Sequence, residues 1–177
     1  MRIVSVSENL TNEKRIAITP EIAKKYISLG FEVTLSENYG EHLGIKNNEY
    51  TELGVKFLKD EKEIINSADL ILQLSLLSDE NASLIKENQT LIGVLNPYLN
   101  KDKIDNLVKK KINLFSLELL PRITRAQSMD ILSSQANLAG YKAVIESFAN
   151  FEKAIPMMMT AAGTIPAAKV LIVGAGV

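Results

Sequence analysis

The stretch "PRITRAQSMDILSS", residues 121–134, carries more polar chemistry than a connector needs. Arg122 and Arg125 are one turn apart, Gln127 and Asp130 are three residues apart, and Ser133 follows Asp130 by three more. On a helix start that spacing presents an acid, an amide and a hydroxyl together. Such a set suits a planar amide ligand: an arginine donates to the carbonyl oxygen, Asp130 accepts from the NH₂, and Gln127 does either. The same residues also describe a plain arginine–aspartate pair near a helix N-terminus, where a carboxylate is stabilising with no ligand at all. Both readings stand on these residues alone.

A second candidate lies in "KVLIVGAGV", residues 169–177. An apolar, β-rich run leads into Gly174, which permits a sharp turn, and Gly176, which permits close approach of backbone to a phosphate. With Val177 these residues read as the opening of a dinucleotide site, whose phosphate would rest on N–H groups of a following helix. Near the N-terminus, "SENLTNEKRIAITP" sets Glu8, Glu13 and Arg15 on the segment leaving the first strand, at the sheet end where ligands of open α/β folds lie. Those charges equally describe a surface ion-pair cluster. His42, the single histidine, reads as a surface residue, and no two His or Cys residues have ligand spacing, so no metal site is expected.

The elements that must position these groups follow from apolar patterning. Six short β-rich runs recur: "RIVSV" (2–6), "FEVTL" (31–35), "VKFL" (55–58), "DLILQL" (69–74), "TLIGVL" (90–95) and "INLFSL" (112–117). Helix-like or turn-like sequence separates them, which predicts a mainly parallel sheet flanked by helices. "TPEIAKKYISLG" has Thr19 as N-cap, Pro20 at the first helical position and Gly30 just past the end. Ser78 and Asn100 are the matching caps of the next two amphipathic segments, and the run Lys109-Lys110-Lys111 closes the latter as a solvated helix end. From Thr124 the β-rich runs stop, and residues 124–151 are expected to form one long helix of about seven turns. On it Met129, Leu132, Ala136, Ala139 and Ala143 mark an apolar or small stripe, opposite Asp130, Ser133 or Ser134 and Asn137. "MMMTAAGTIPAAK" reads as a loop before the terminal strand. The expected organisation is an α/β domain over 1–122, of Rossmann-like or flavodoxin-like parallel sheet, then a loop, long connecting helix and linker over 123–168. The first strand and glycine turn of an incomplete second domain fill 169–177.

Bulk properties narrow the function classes. Lys plus Arg (20) nearly balance Asp plus Glu (21), so no nucleic-acid footprint is expected. There is no cysteine, which excludes disulfides, thiolate metal sites and a cysteine nucleophile and fits a reducing compartment, the cytoplasm. The most apolar region carries Pro156, Pro166, Lys169 and three glycines within the ~20 residues a spanning helix needs, so no membrane span is expected.

"PRITRAQSMDILSSQANLAGYKAVIE" followed by "TAAGTIPAAKVLIVGAGV" resembles the alpha subunit of the proton-translocating NAD(P) transhydrogenases, and "ENLTNEKRIAITPE" resembles its start and that of the related alanine dehydrogenases. The resemblance implies NAD(H) bound in a cleft against a loop whose arginine, glutamine and aspartate match Arg122, Gln127 and Asp130, with Arg125 beside them. The family's nicotinamide-contacting serine matches Ser133. It further implies hydride transfer to NADP⁺ held on a partner beta subunit, coupling to proton movement through a membrane domain, pairing as a homodimer, and a cytoplasmic location peripheral to the inner membrane. Gln127 would lie near the meeting of the two rings, and "VLIVGAGV" would be the first strand of a truncated NAD-binding Rossmann domain. Alanine dehydrogenase is the alternative enzyme. That family holds its substrate with an arginine, matched by Arg15, but also with a lysine and a histidine, where this chain has Ser75 and Asn96. The alternative from another class is a non-catalytic dimerising module that binds no nucleotide by itself.

Overall fold

The computed structural model describes residues 1–176. The chain divides into two compact units, Met1–Leu120 and a second beginning at Pro121. In the first, strands and helices alternate: β1 (Arg2–Ser5), α1 (Pro20–Ser28), β2 (Glu32–Ser36), α2 (Asn47–Thr51), β3 (Lys56–Leu58), α3 (Glu61–Ser67), β4 (Leu70–Leu72), α4 (Asp79–Leu84), β5 (Thr90–Gly93), α5 (Lys101–Lys109) and β6 (Asn113–Ser116). All six strands pair in parallel in the order β3-β2-β1-β4-β5-β6. This is the Rossmann order, and it excludes the flavodoxin-like alternative. The order reverses between β1 and β4, where chain positions 2–5 and 70–72 meet with Ile3 opposite Leu70.

Strand periodicity divides the core in two. In β1, Ile3 joins Val33, Leu35, Tyr39 and Tyr50 on one face of the sheet, while Val4 joins Ile64, Ile71, Leu91 and Leu107 on the other. Helices cover both faces, as burial of a parallel sheet requires. Their ends follow local chemistry. The Thr19 hydroxyl accepts from the Ile22 N–H at 3.4 Å, Pro20 opens α1, and Gly30 takes φ +85° just past it. Ser78 caps α4 through the Asn81 N–H.

Asn100 takes the expected N-cap position of α5, its carbonyl accepting from the Ile104 N–H, but its side chain makes no cap bond; its amide donates instead to the Leu95 carbonyl at 2.9 Å. Among the three lysines that close α5, Lys110 donates its Nζ to the carbonyls of Ser83 and Ala82 at 2.7 and 3.3 Å, closing the C-terminal end of α4.

The second unit departs from expectation in three places. The predicted single helix from Thr124 is instead a 3₁₀ segment, Thr124–Met129, followed by α6 (Ile131–Ala149), because Asp130 leaves helical geometry at φ −75°, ψ 85° to cap α6. None of the residues of α6 is buried, so the expected stripe does not form a packed face among the described residues. The region read as a loop contains a hairpin, β7 (Met158–Thr160) antiparallel to β8 (Gly163–Ile165). Ala161 and Ala162 make its turn, clipped by Thr160 Oγ1, which donates to the Gly163 carbonyl and accepts from the Ala162 N–H. Finally, the expected terminal strand does not form. Val170, Leu171, Ile172 and Val173 are exposed and pair with no strand among the described residues, and a strand without a ladder has nothing to satisfy its backbone.

Candidate functional site

Arg122, Gln127 and Asp130 meet in the second unit. With Ile123 and Thr124 they line a shallow cavity of ≈ 250 Å³. The 3₁₀ segment brings them there: it winds tightly enough to put Gln127 and Asp130 on the side of Arg122, and Ala126 is the residue it buries. Sequence spacing located the three polar residues; Ile123 and Thr124 join the wall only through the 3₁₀ geometry, which that spacing does not announce.

Asp130 organises the group. Its Oδ1 accepts from the Ser133 N–H at 3.0 Å, and its Oδ2 accepts from the Ser133 hydroxyl at 2.7 Å. The Arg122 Nε lies 3.8 Å from Oδ2. The Ser133 N–H, then the Ser133 hydroxyl, hold the Asp130 carboxyl below the usual carboxylate range, with Arg122 a smaller contributor. The carboxylate is therefore ionised at neutral pH, and each of its oxygens still has a lone pair to offer. Because the Ser133 hydroxyl spends its proton on Asp130, its oxygen is left as an acceptor. The wall thus sets a donor, the Arg122 guanidinium, beside an acceptor, Asp130, with the exposed Gln127 amide able to serve either way and the Ser133 oxygen bonded behind Asp130. A primary amide, with one carbonyl and two N–H groups, is complementary to that set, so the residues fit a carboxamide.

Other predicted residues are placed differently. Arg125 is exposed and is not part of the cavity wall. Gly174 has φ +92°, in keeping with a turn, but no strand precedes it, and a Cβ added at Gly174 or Gly176 would meet no atom within 4 Å. Nothing among the described residues requires glycine for close approach there. Val177 lies outside the described residues.

In the first unit the segment after β1 is partly a salt bridge and partly something else. Arg15 binds Glu13 in bidentate fashion, Nε to Oε1 at 2.8 Å and Nη2 to Oε2 at 2.6 Å, and that hydrogen bonding holds the Glu13 carboxyl low. Glu8, which still feels the charges of Glu13 and Arg15, turns inward to the end of β4. His42 is exposed, with Nε2 2.7 Å from the Lys14 carbonyl. At the end of β5, Asn96 adopts a left-handed φ of 47°, and its backbone N–H donates to Glu118 Oε1 at 2.5 Å. No group of three or more His, Cys, Asp or Glu side chains able to hold a metal occurs among the described residues, and no helix among them is long and apolar enough to cross a membrane.

Residues 5–139 match the family model described as alanine dehydrogenase/PNT, N-terminal domain, and residues 143–177 match alanine dehydrogenase/PNT, C-terminal domain. A protein of Rickettsia prowazekii (strain Madrid E), described as the first part of NAD(P) transhydrogenase subunit alpha, is 45% identical over 181 residues, covering 100% of this chain and 47% of that protein. The protein of the same description from Rhodospirillum rubrum is 42% identical over 182 residues, again covering 100% of this chain and 47% of its own length. The crystal structure of transhydrogenase from Sinorhizobium meliloti superposes with a TM-score of 0.87 at 42% identity, covering 94% of this chain and 50% of that one. The chain spans about half the length of the curated relatives it matches.

Proposed function

The chain belongs to the alanine dehydrogenase/PNT family, and from that premise we propose that it supplies the nicotinamide-facing wall of an NAD(H)-binding transhydrogenase alpha subunit. The observation that carries this reading is the convergence of Arg122, Gln127 and Asp130 on one cavity, with Ser133 locked to Asp130. In it Arg122 donates to the carboxamide oxygen, while Asp130, with Ser133 behind it, accepts from its NH₂. Gln127 lies on the same wall and completes it. The cofactor supplies the chemistry, a hydride passed directly to NADP⁺ carried by a partner beta subunit. No protein acid or base is needed for that exchange; the side chains orient the ring, and orientation is their contribution to rate.

Gly174, Gly176 and Val177 open the pyrophosphate side of the same nucleotide site, completed by the rest of the subunit, with Arg125 at its margin. The assembly pairs as a homodimer, is cytoplasmic and peripheral to the inner membrane through its partners, and couples hydride transfer to proton movement there.

Alanine dehydrogenase is disfavoured by two positions. Ser75 donates its backbone N–H to Glu8, and Asn96 donates its own to Glu118. Neither side chain is a cation or transfers a proton near neutral pH, so reductive amination has no acid or base at either place.

Calorimetric titration of the complete subunit with NADH tests the assignment. Asp130→Asn, which replaces one acceptor by a donor, is expected to weaken binding by about 10- to 100-fold. Binding as tight as that of the unaltered subunit would refute the role given to this wall.

A further inference from the structure

One side chain of the cavity wall does not share the chemistry of its neighbours. Arg122, Thr124, Gln127 and Asp130 are polar, yet Ile123 lines the same space and is 55% exposed. An exposed isoleucine by itself means little. Its place among groups that fit a carboxamide is what gives it meaning.

The backbone fixes that place. Ile123 is extended, at φ −123° and ψ 159°, where the 3₁₀ segment begins. Its N–H donates to the Pro121 carbonyl at 3.0 Å, and its carbonyl accepts from the Ala126 N–H at 2.9 Å. Both main-chain groups are therefore engaged, and a β-branched side chain on a held backbone has little χ1 freedom. Holding a nicotinamide takes two kinds of contact. The carboxamide offers hydrogen bonds at its edge, which Arg122 and Asp130 meet. The ring joined to it offers flat faces of low polarity, which hydrogen bonds do not hold and apolar contact does. On this wall the methyl groups of Ile123 supply that contact. Direct hydride transfer also needs the two faces of the ring to differ, one turned to the acceptor and the other backed by protein.

We propose that Ile123 backs the nicotinamide ring on the face that does not react: its polar neighbours hold the carboxamide edge, and the isoleucine covers the ring behind it. Ile123 moves no proton; it acts by limiting how far the ring can tilt. The inference rests on the nicotinamide wall proposed above and adds to it the side from which the ring is supported.

The test titrates the complete subunit with NADH and with ADP-ribose, which lacks the nicotinamide. Ile123→Ala is expected to weaken NADH binding by about 10- to 50-fold and Ile123→Val by about 2- to 4-fold, with ADP-ribose binding unchanged in both. In the complete enzyme Ile123→Ala should also slow single-turnover hydride transfer. NADH binding as tight as that of the unaltered subunit overturns the proposal, and so does an equal loss for both ligands. Faster transfer overturns it too, because it would place the isoleucine between the reacting rings. Should Ile123→Ala fail to fold, Ile123→Val decides by the same comparison. Asp130→Asn in the same titration separates the two readings: if it weakens NADH binding and Ile123→Ala does not, only the backing role falls, and if neither does, the wall falls with it.

Discussion

Asp130 holds Ser133 twice, through the backbone N–H at 3.0 Å and through the hydroxyl at 2.7 Å. The first bond starts α6 and the second turns the Ser133 oxygen into an acceptor, so the carboxylate that ends the 3₁₀ segment and lines the cavity also orders the start of the helix. Structure and candidate chemistry are joined at one carboxylate.

That coupling has a pH signature. The Asp130 carboxyl titrates below its ordinary value of 3.8, chiefly because the Ser133 N–H favours the charged form. Its contribution is therefore complete above the unfolded value and is lost as pH falls through the lower, folded one. Asp130→Asn keeps an oxygen for the Ser133 N–H but cannot titrate. The Tm difference between unaltered protein and Asp130→Asn should be constant near neutrality and should close below pH 3.8, as followed by circular dichroism. A gap that persists unchanged into strong acid would show that Asp130 is not the group responsible.

Tyr39→Phe should cost more than its single lost oxygen suggests. The Tyr39 hydroxyl, on a residue 1% exposed, accepts from the N–H groups of Ala17 and Ile18 and pairs with Ser5. Phenylalanine leaves those donors without a partner inside the protein, for an expected loss of about 2 kcal/mol or more in urea unfolding. An unchanged midpoint would mean that the segment before α1 readily finds other partners.

Gly93→Ala tests the seam between β4 and β5. A Cβ at Gly93 would lie 2.3 Å from the Gln73 carbonyl oxygen, a backbone atom that cannot swing aside. The ladder must spread, at an expected cost of about 1–3 kcal/mol. Since Gln73 also positions Glu8, the same substitution should raise the exchange rate of the Leu74 amide proton, which NMR reads directly; protection like that of the unaltered chain would place the strain elsewhere.

These sites differ in how far they are legible before folding. The six strands of the sheet were legible because each is an apolar, β-rich run bounded by turn or cap residues, and Thr19 and Ser78 announced their helices. Asn100 announced the start of its helix too, but not that its side chain turns to donate to the Leu95 carbonyl and makes no cap bond. The break at Asp130 was written as a cap residue three positions before Ser133, but the continuous helical composition on both sides concealed it. The hairpin strands are three residues each, too short for alternation to show. "VLIV" has strand composition, yet pairing is a property of a neighbour and not of the run itself. Arg122, Gln127 and Asp130 were legible as a group because they lie within nine residues of one another. The inward turn of Glu8 was not, since its partners are 65–67 residues away in sequence and only the strand order brings them near.

The central claim is that this wall orients a nicotinamide ring for direct hydride transfer. Its most direct test is the single-turnover rate of hydride transfer from NADH to NADP⁺ in the complete enzyme carrying Arg122→Ala. Arg122 is exposed, so Tm should be unchanged while the rate falls on the order of 10²-fold. A rate equal to that of the unaltered enzyme at the same Tm would contradict the account.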